Sequence, residues 1–221
     1  MSELATGDWN KGTDPDKRVV RHLLVDRLYH WLMAIAVFVL MGTSFLPILG
    51  VKFQWVEIHW ITGVLLAGLV LFHMVRALFW LDWRSMMIWI ADGRDIWRGM
   101  RHTLDGGSTP PVRPGKYNAL QKLYHLGIAV LVLAVVVSGL LMLLKIDTPL
   151  WRRDPYWFSS DTWGIIYAVH GLASMAMVTM VMIHIYFALR PDEWYLTRSM
   201  FRGWISRKEY SEHHDAGRWK A

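Results

Sequence analysis

Four long stretches without charged residues limit what this chain can fold into. They cover residues 31–51, 58–75, 123–144 and 162–189. Each is close to the roughly 20 apolar residues that a helix needs to cross the hydrocarbon core of a membrane. Because backbone groups in lipid must hydrogen-bond within their own segment, we expect four transmembrane helices. The predicted fold class is all-α, a membrane four-helix bundle.

The composition restricts the chemistry that such a bundle can carry. Hydrophobic residues make up 54% of the chain, and cysteine is absent. The absence of cysteine excludes disulfides, thiolate-bound iron–sulfur clusters and covalently attached haem. The four stretches also lack Asp and Glu, which excludes a di-metal carboxylate site. The net charge is +6, but the basic residues flank the apolar stretches, which indicates a membrane surface rather than nucleic acid as partner.

The distribution of lysine and arginine predicts the orientation. Five precede the first stretch, eight lie in residues 76–122 and seven follow Leu189, whereas the other two loops contain one and three. Since cytoplasmic loops are enriched in these residues, we expect both termini to lie in the cytoplasm. We also expect a multi-pass protein of the bacterial inner membrane.

The same pattern predicts the domain organisation. We expect a cytoplasmic N-terminal segment at residues 1–27, a four-span membrane domain at 28–189 and a cytoplasmic tail at 190–221. Residues 82–104 mix tryptophan and methionine with arginine, which is typical of a helix lying in a membrane interface. An interfacial helix is therefore predicted between spans two and three.

Histidines repeat at one spacing inside the spans. His59 and His73 are fourteen residues apart, as are His170 and His184. On a helix, that spacing puts both members on one face with about 21 Å of rise between them. The orientation places His59 and His170 at the outer level, where they can face each other, while His184 can face His30 or His73.

Ligating side chains inside membrane spans are costly, and this favours a functional role for the histidines. Imidazole is a common ligand of haem iron, so the pattern predicts two bis-histidine b-type haems stacked across the bundle. Gly63, one turn beyond His59, would let a porphyrin approach the backbone. The alternative for any single histidine is a structural hydrogen bond to a neighbouring helix.

Several segments together resemble a known family in their order and spacing. They are Asp26–Trp31, Ile58–His59 followed by Gly63, Gly115–Ala119, and the span from His170 to His184. The chain resembles the gamma subunit of respiratory formate dehydrogenases, which are dihaem cytochromes b. The wider group includes cytochrome b subunits of nickel–iron hydrogenases.

The resemblance implies specific ligands. It assigns His59 and His170 to the outer haem and His30 and His184 to the inner one. The spacing of the histidines, and not the resemblance, leaves His73 as an alternative inner ligand. The resemblance also implies a pocket for menaquinone or ubiquinone near the inner haem, with Asn118 and His184 at the quinone head group.

The predicted function follows from these assignments. An iron–sulfur subunit and a catalytic subunit on the periplasmic side would supply electrons, which cross the membrane through the haems and reduce quinone with cytoplasmic protons. The chain would contact membrane lipid, could belong to a higher oligomer of the complex, and would carry out no chemistry on the primary substrate. The alternatives are a cytochrome b subunit of a nickel–iron hydrogenase or of another periplasmic oxidoreductase, and a haem-free membrane anchor or proton-relay subunit.

Overall fold

The computed structural model describes residues 18–108, 112–149 and 151–219, without the side chains of residues 83 and 84. Within these residues the chain forms seven α-helices and one small antiparallel sheet. The helices are α1 (Leu24–Phe45), α2 (Trp55–Phe79), α3 (Ile90–Leu104), α4 (Ala119–Met142), α5 (Ser160–Leu189), α6 (Trp194–Arg202) and α7 (Arg207–His213). The strands are β1 (Arg18–Val20) and β2 (Trp204–Ser206).

Four of the helices are long and apolar enough to cross a membrane. They are α1, α2, α4 together with the 3₁₀ turn Leu143–Lys145, and α5. The predicted all-α fold with four spans is therefore confirmed. The outward-facing side chains suit contact with lipid, since Ile35 is 60% exposed, Leu65 58% and Leu172 73%.

The bounds of the first helix differ from the prediction. α1 begins at Leu24 rather than at residue 31, because the Asp26 carboxylate accepts a hydrogen bond of 3.2 Å from the Leu23 N–H at the helix start. It ends at Phe45 rather than at residue 51. A turn follows in which Gly50 has a φ of +87°, a conformation that favours glycine.

The chain divides into two compact units. The first comprises Leu28–Ile88 and Leu120–Phe187, and it contains the span histidines. The second comprises residues 18–27, 89–119 and 188–219 of the described chain. The three-part domain organisation expected from the sequence stays a prediction.

The second unit is built around the small sheet. Val19 lies opposite Ile205 in the antiparallel β1–β2 ladder. These two side chains form a buried core with Tyr210 and Trp219, and Tyr195 packs against it. The sheet therefore joins the segment before α1 to the tail after α6.

α3 also belongs to the second unit, and it lies within the region predicted to hold an interfacial helix. Its start is capped by Asp92, whose carboxylate accepts a 2.7 Å hydrogen bond from the Trp89 N–H. Trp97 and Met100 on this helix are about half exposed, at 54% and 48%. An amphipathic helix is present where it was expected, and its location at the membrane surface stays a prediction.

Candidate metal centre

The first unit brings His59 of α2 and His170 of α5 together. Their ring centres are 6.4 Å apart, with an angle of 72° between the ring planes. His59 is the fifth residue of α2, and His170 is the eleventh residue of α5. The two residues predicted to share the outer site are thus neighbours, although they are separated by more than half of the chain.

A threonine hydroxyl determines which nitrogen of His59 is available. Thr43 Oγ1 lies 2.9 Å from the Val39 carbonyl, one turn earlier on α1, and 2.8 Å from His59 Nδ1. Because the single hydroxyl proton is donated to the helix carbonyl, the oxygen accepts from Nδ1–H. The Nε2 lone pair of His59 is then the one left to bind a metal.

Ser138 of α4 does the same for His170. Its Oγ bonds the Ala134 carbonyl one turn earlier and lies 2.9 Å from His170 Nδ1. The hydroxyl therefore accepts from Nδ1–H and leaves Nε2 of His170 with its lone pair. Both rings are held in the tautomer that a metal ligand requires.

A cavity adjoins the two rings. It has a volume of about 140 Å³ and is lined by α1, α2, α4 and α5, including His59, His170, Gly63 and Gly139. The remaining lining is mostly apolar.

Two glycines shape the cavity. A Cβ atom at Gly139 would lie 3.2 Å from Cε1 of His170, so only glycine lets this ring lie against α4 without displacement. A Cβ at Gly63 would meet nothing within 4 Å. The space beside Gly63 is consistent with the predicted approach of a flat macrocycle to this part of α2.

The ring separation tests whether a haem fits between these histidines. Two imidazoles on opposite sides of one iron have centres about 6 Å apart, given metal–nitrogen bonds of about 2 Å and about 1 Å from each nitrogen to its ring centre. The observed 6.4 Å meets that requirement. The donor atoms, their tautomers and the apolar cavity fit a b-type haem.

The two residues predicted to share the inner site form a second pair with similar geometry. His30 of α1 and His184 of α5 have ring centres 6.1 Å apart at an interplanar angle of 53°. The ring of Tyr124 stacks on His184 at 5.6 Å, and its hydroxyl donates to the Met180 carbonyl at 2.9 Å. Within the described residues, Nδ1 of His30 is buried without a hydrogen-bond partner. A buried nitrogen without a partner is unusual in a folded protein.

The alternative inner ligand, His73, lies beside a different histidine. Its ring centre is 6.3 Å from that of His125 in α4, and Tyr29 stacks on it at 4.8 Å. Both His30 and His73 therefore lie at a suitable ring separation from another histidine. The histidine beside His184, however, is His30.

Asn118, the candidate quinone residue, belongs to the second unit and directly precedes α4. Sequence reasoning identified this residue and the histidines, but it overlooked Thr43, Ser138 and Gly139. The sequence does indicate Thr43 and Ser138, because each places a hydroxyl in an apolar span at the depth expected for His59 and His170.

Comparison with known proteins identifies the family of the chain. The sequence profile of the family described as prokaryotic cytochrome b561 matches residues 21–203. A formate dehydrogenase cytochrome b556 subunit from Haemophilus influenzae is 26% identical over 215 residues, covering 90% of this chain and 82% of that protein.

Two relatives come from Escherichia coli strain K12. The cytochrome b556(Fdn) subunit of the nitrate-inducible formate dehydrogenase is 26% identical, covering 90% of this chain and 89% of its own length. The cytochrome b556(fdo) subunit of formate dehydrogenase is 27% identical, covering 89% of this chain and 90% of its own length. The resemblance expected from the sequence is thus confirmed.

The family match spans α1 to α6 and includes all four long apolar helices. It identifies an integral membrane protein of a family that carries b-type haem. The chain belongs to the prokaryotic cytochrome b561 family.

Proposed function

We propose that this chain is the dihaem membrane subunit of a formate dehydrogenase-type complex. In this proposal it carries electrons from a periplasmic iron–sulfur partner to quinone on the cytoplasmic side. The observation that carries the proposal is the presence of two histidine pairs, His59/His170 and His30/His184, with ring separations suited to one haem iron each. The formate dehydrogenase subunits among its relatives support the choice of complex.

The two proposed sites are arranged for transfer across the membrane. His170 and His184 both lie on α5, fourteen residues apart, which corresponds to about 21 Å of rise along the helix. That is about two thirds of a hydrocarbon core roughly 30 Å thick. Bound haem would supply an iron at each level that accepts and releases one electron at a time.

The residues of the chain have separate tasks in this proposal. The four histidines hold the irons, and the Thr43 and Ser138 hydroxyls orient the outer ligands. The amide of Asn118 would hydrogen-bond a quinone carbonyl at the end of the pathway. Oxidation of formate would take place in the catalytic partner.

Haem content tests the proposal. Purified protein is expected to contain two b haems per chain, and His170→Ala and His30→Ala should each retain one. His73→Ala should retain both, as should the control His102→Ala outside the spans. The measurement is haem per polypeptide together with the reduced absorbance spectrum.

Two outcomes would contradict the proposal. Stable wild-type protein without haem would favour the haem-free anchor instead. Loss of one haem from His73→Ala, with both retained in His30→Ala, would assign the inner ligand to α2 rather than to α1.

A further inference from the structure

In the second unit, three consecutive carbonyls are held by distant parts of the chain. They belong to residues 114–116, which precede Asn118. The backbone N–H of Asp215 donates to the first at 2.9 Å, His214 Nδ1 to the second at 2.8 Å and the Arg21 guanidinium to the third at 2.7 Å. We call this arrangement the carbonyl clamp.

The clamp is buried, and one tautomer of His214 satisfies both of its ring hydrogen bonds. Arg21 is 4% exposed and His214 is 5% exposed. Since Nδ1–H of His214 donates to a carbonyl, its Nε2 accepts from the guanidinium at 3.3 Å. Burial, reinforced by the adjacent Arg21 charge, lowers the pKa of His214 to about 4. The ring therefore stays neutral near pH 7.

Close packing also fixes the backbone of this segment. A Cβ at Gly115 would lie 3.2 Å from both Cβ and the carbonyl oxygen of Arg218. The Tyr117 ring lies under the Arg21 guanidinium, 5.6 Å from its centre. Residues 115 and 117 are thus each held by an arginine from another part of the unit.

Burying the charged Arg21 guanidinium costs desolvation free energy, which indicates that the clamp does more than stabilise the fold. Among the described residues, the buried guanidinium bonds a carbonyl and an imidazole rather than a carboxylate. A buried charge in such surroundings contributes little to stability, whereas its directional hydrogen bonds specify geometry. The geometry specified here is that of the backbone leading to Asn118.

We propose that Arg21 and His214 are positioning residues for the quinone site, which set the place of Asn118 by fixing the carbonyls of residues 114–116. This inference rests on the proposed function, in which Asn118 binds the quinone head group. The tail and the segment before α1, far apart in sequence, would thereby determine how well quinone binds.

Reoxidation of the haems by quinone tests the proposal without the physiological donor. The purified complex is reduced with just enough dithionite, decylubiquinone is added, and the rate is followed at increasing quinone concentration. Arg21→Lys and His214→Ala are expected to raise the half-saturating quinone concentration about tenfold, since a displaced Asn118 amide would lose its hydrogen bond to quinone and one such bond corresponds to roughly tenfold in affinity. Haem content and the rate at saturating quinone should change little.

Two further variants separate positioning from general stability. His214→Gln retains an amide donor and a carbonyl acceptor, so it should restore the half-saturating concentration to within about threefold of wild type. Arg198→Ala removes the ion pair with Glu209 in the same unit but leaves the clamp intact, and it should behave as wild type. His214→Ala combined with Asn118→Ala should be no slower than Asn118→Ala alone.

The outcomes distinguish this inference from the proposed function. If Asn118→Ala slows reoxidation while Arg21→Lys and His214→Ala match wild type, the positioning role is wrong and the quinone site stands. If Asn118→Ala matches wild type, the proposed quinone site is wrong, and the inference is wrong with it. An equal effect of Arg198→Ala would also overturn the inference, because the clamp would then act only through stability.

Discussion

At the outer pair, each histidine ring is oriented by one hydroxyl from a neighbouring helix. Thr43 and Ser138 each donate a proton to a carbonyl in their own helix and accept one from an imidazole. Such hydrogen bonds set the tautomer of a ligating histidine and strengthen its bond to the metal. Two residues without metal-binding chemistry of their own thereby decide which histidine nitrogens can act as ligands.

This arrangement predicts that Thr43→Val weakens haem binding. The substitution keeps the shape of the side chain but removes the acceptor for His59 Nδ1–H. We expect haem affinity at the outer site to fall about tenfold, as is usual when such a hydrogen bond to a ligating histidine is lost. Haem titration of the purified protein, read at the band of the outer haem, is the measurement.

The matched control for this variant is Thr179→Val on α5. Its hydroxyl bonds the Met175 carbonyl at 3.4 Å and contacts no histidine ring in the described structure. Equal haem affinity in Thr43→Val, Thr179→Val and wild type would show that the Thr43 hydroxyl does not support the ligand.

At the scale of helices, a glycine determines how closely α4 and α5 approach. The His170 ring lies so close to residue 139 that a Cβ there would be 3.2 Å from its Cε1. Glycine inside a helix costs about 1 kcal/mol relative to alanine. Its presence at this contact in α4 is therefore explained by the histidine and not by helix stability.

Gly139→Ala should consequently favour the helix and disturb the site. The added Cβ would lie 3.2 Å from Cε1 of His170 and displace the ring. Overpacking costs about 1–3 kcal/mol, so we expect outer-haem affinity to fall roughly 5- to 150-fold. Gly68→Ala in α2, where a Cβ meets nothing within 4 Å, should retain wild-type affinity in the same titration. Unchanged haem binding by Gly139→Ala would contradict the proposed contact.

At the scale of the whole molecule, the uneven distribution of basic residues predicts the orientation in the membrane. Twenty of the 24 lysines and arginines lie in the segments predicted to be cytoplasmic. Such segments are retained on the cytoplasmic side of the inner membrane. Both termini should therefore face the cytoplasm, and the α4–α5 loop should face the periplasm.

Cysteine labelling can test this orientation without background, because the natural chain has no cysteine. Tyr156 in the α4–α5 loop is 91% exposed, and a cysteine there should react with a membrane-impermeant maleimide in intact spheroplasts. A cysteine at Lys208 in α7 should react only after the membrane is opened. The reverse pattern would invert the orientation and place the proposed quinone site outside.

The sequence by itself determined the number of long apolar helices and the spacing of the histidines along them. A membrane requires long uncharged helices, and a fourteen-residue spacing on such a helix fixes where His170 and His184 lie along its axis. Those constraints are local, so they can be inferred from neighbouring residues. The start of α1 was missed because Asp26 and Arg27 were counted as the end of a polar segment, whereas Asp26 caps the helix.

Only the tertiary structure decided which side chains meet. It placed His184 beside His30 and His73 beside His125, and it brought Thr43 to His59. Each of these contacts depends on the rotation and separation of whole helices, which the apolar pattern of a lipid-exposed helix specifies weakly. The carbonyl clamp is more remote still, because its donors lie nearly two hundred residues apart in the chain and meet through the pairing of β1 with β2.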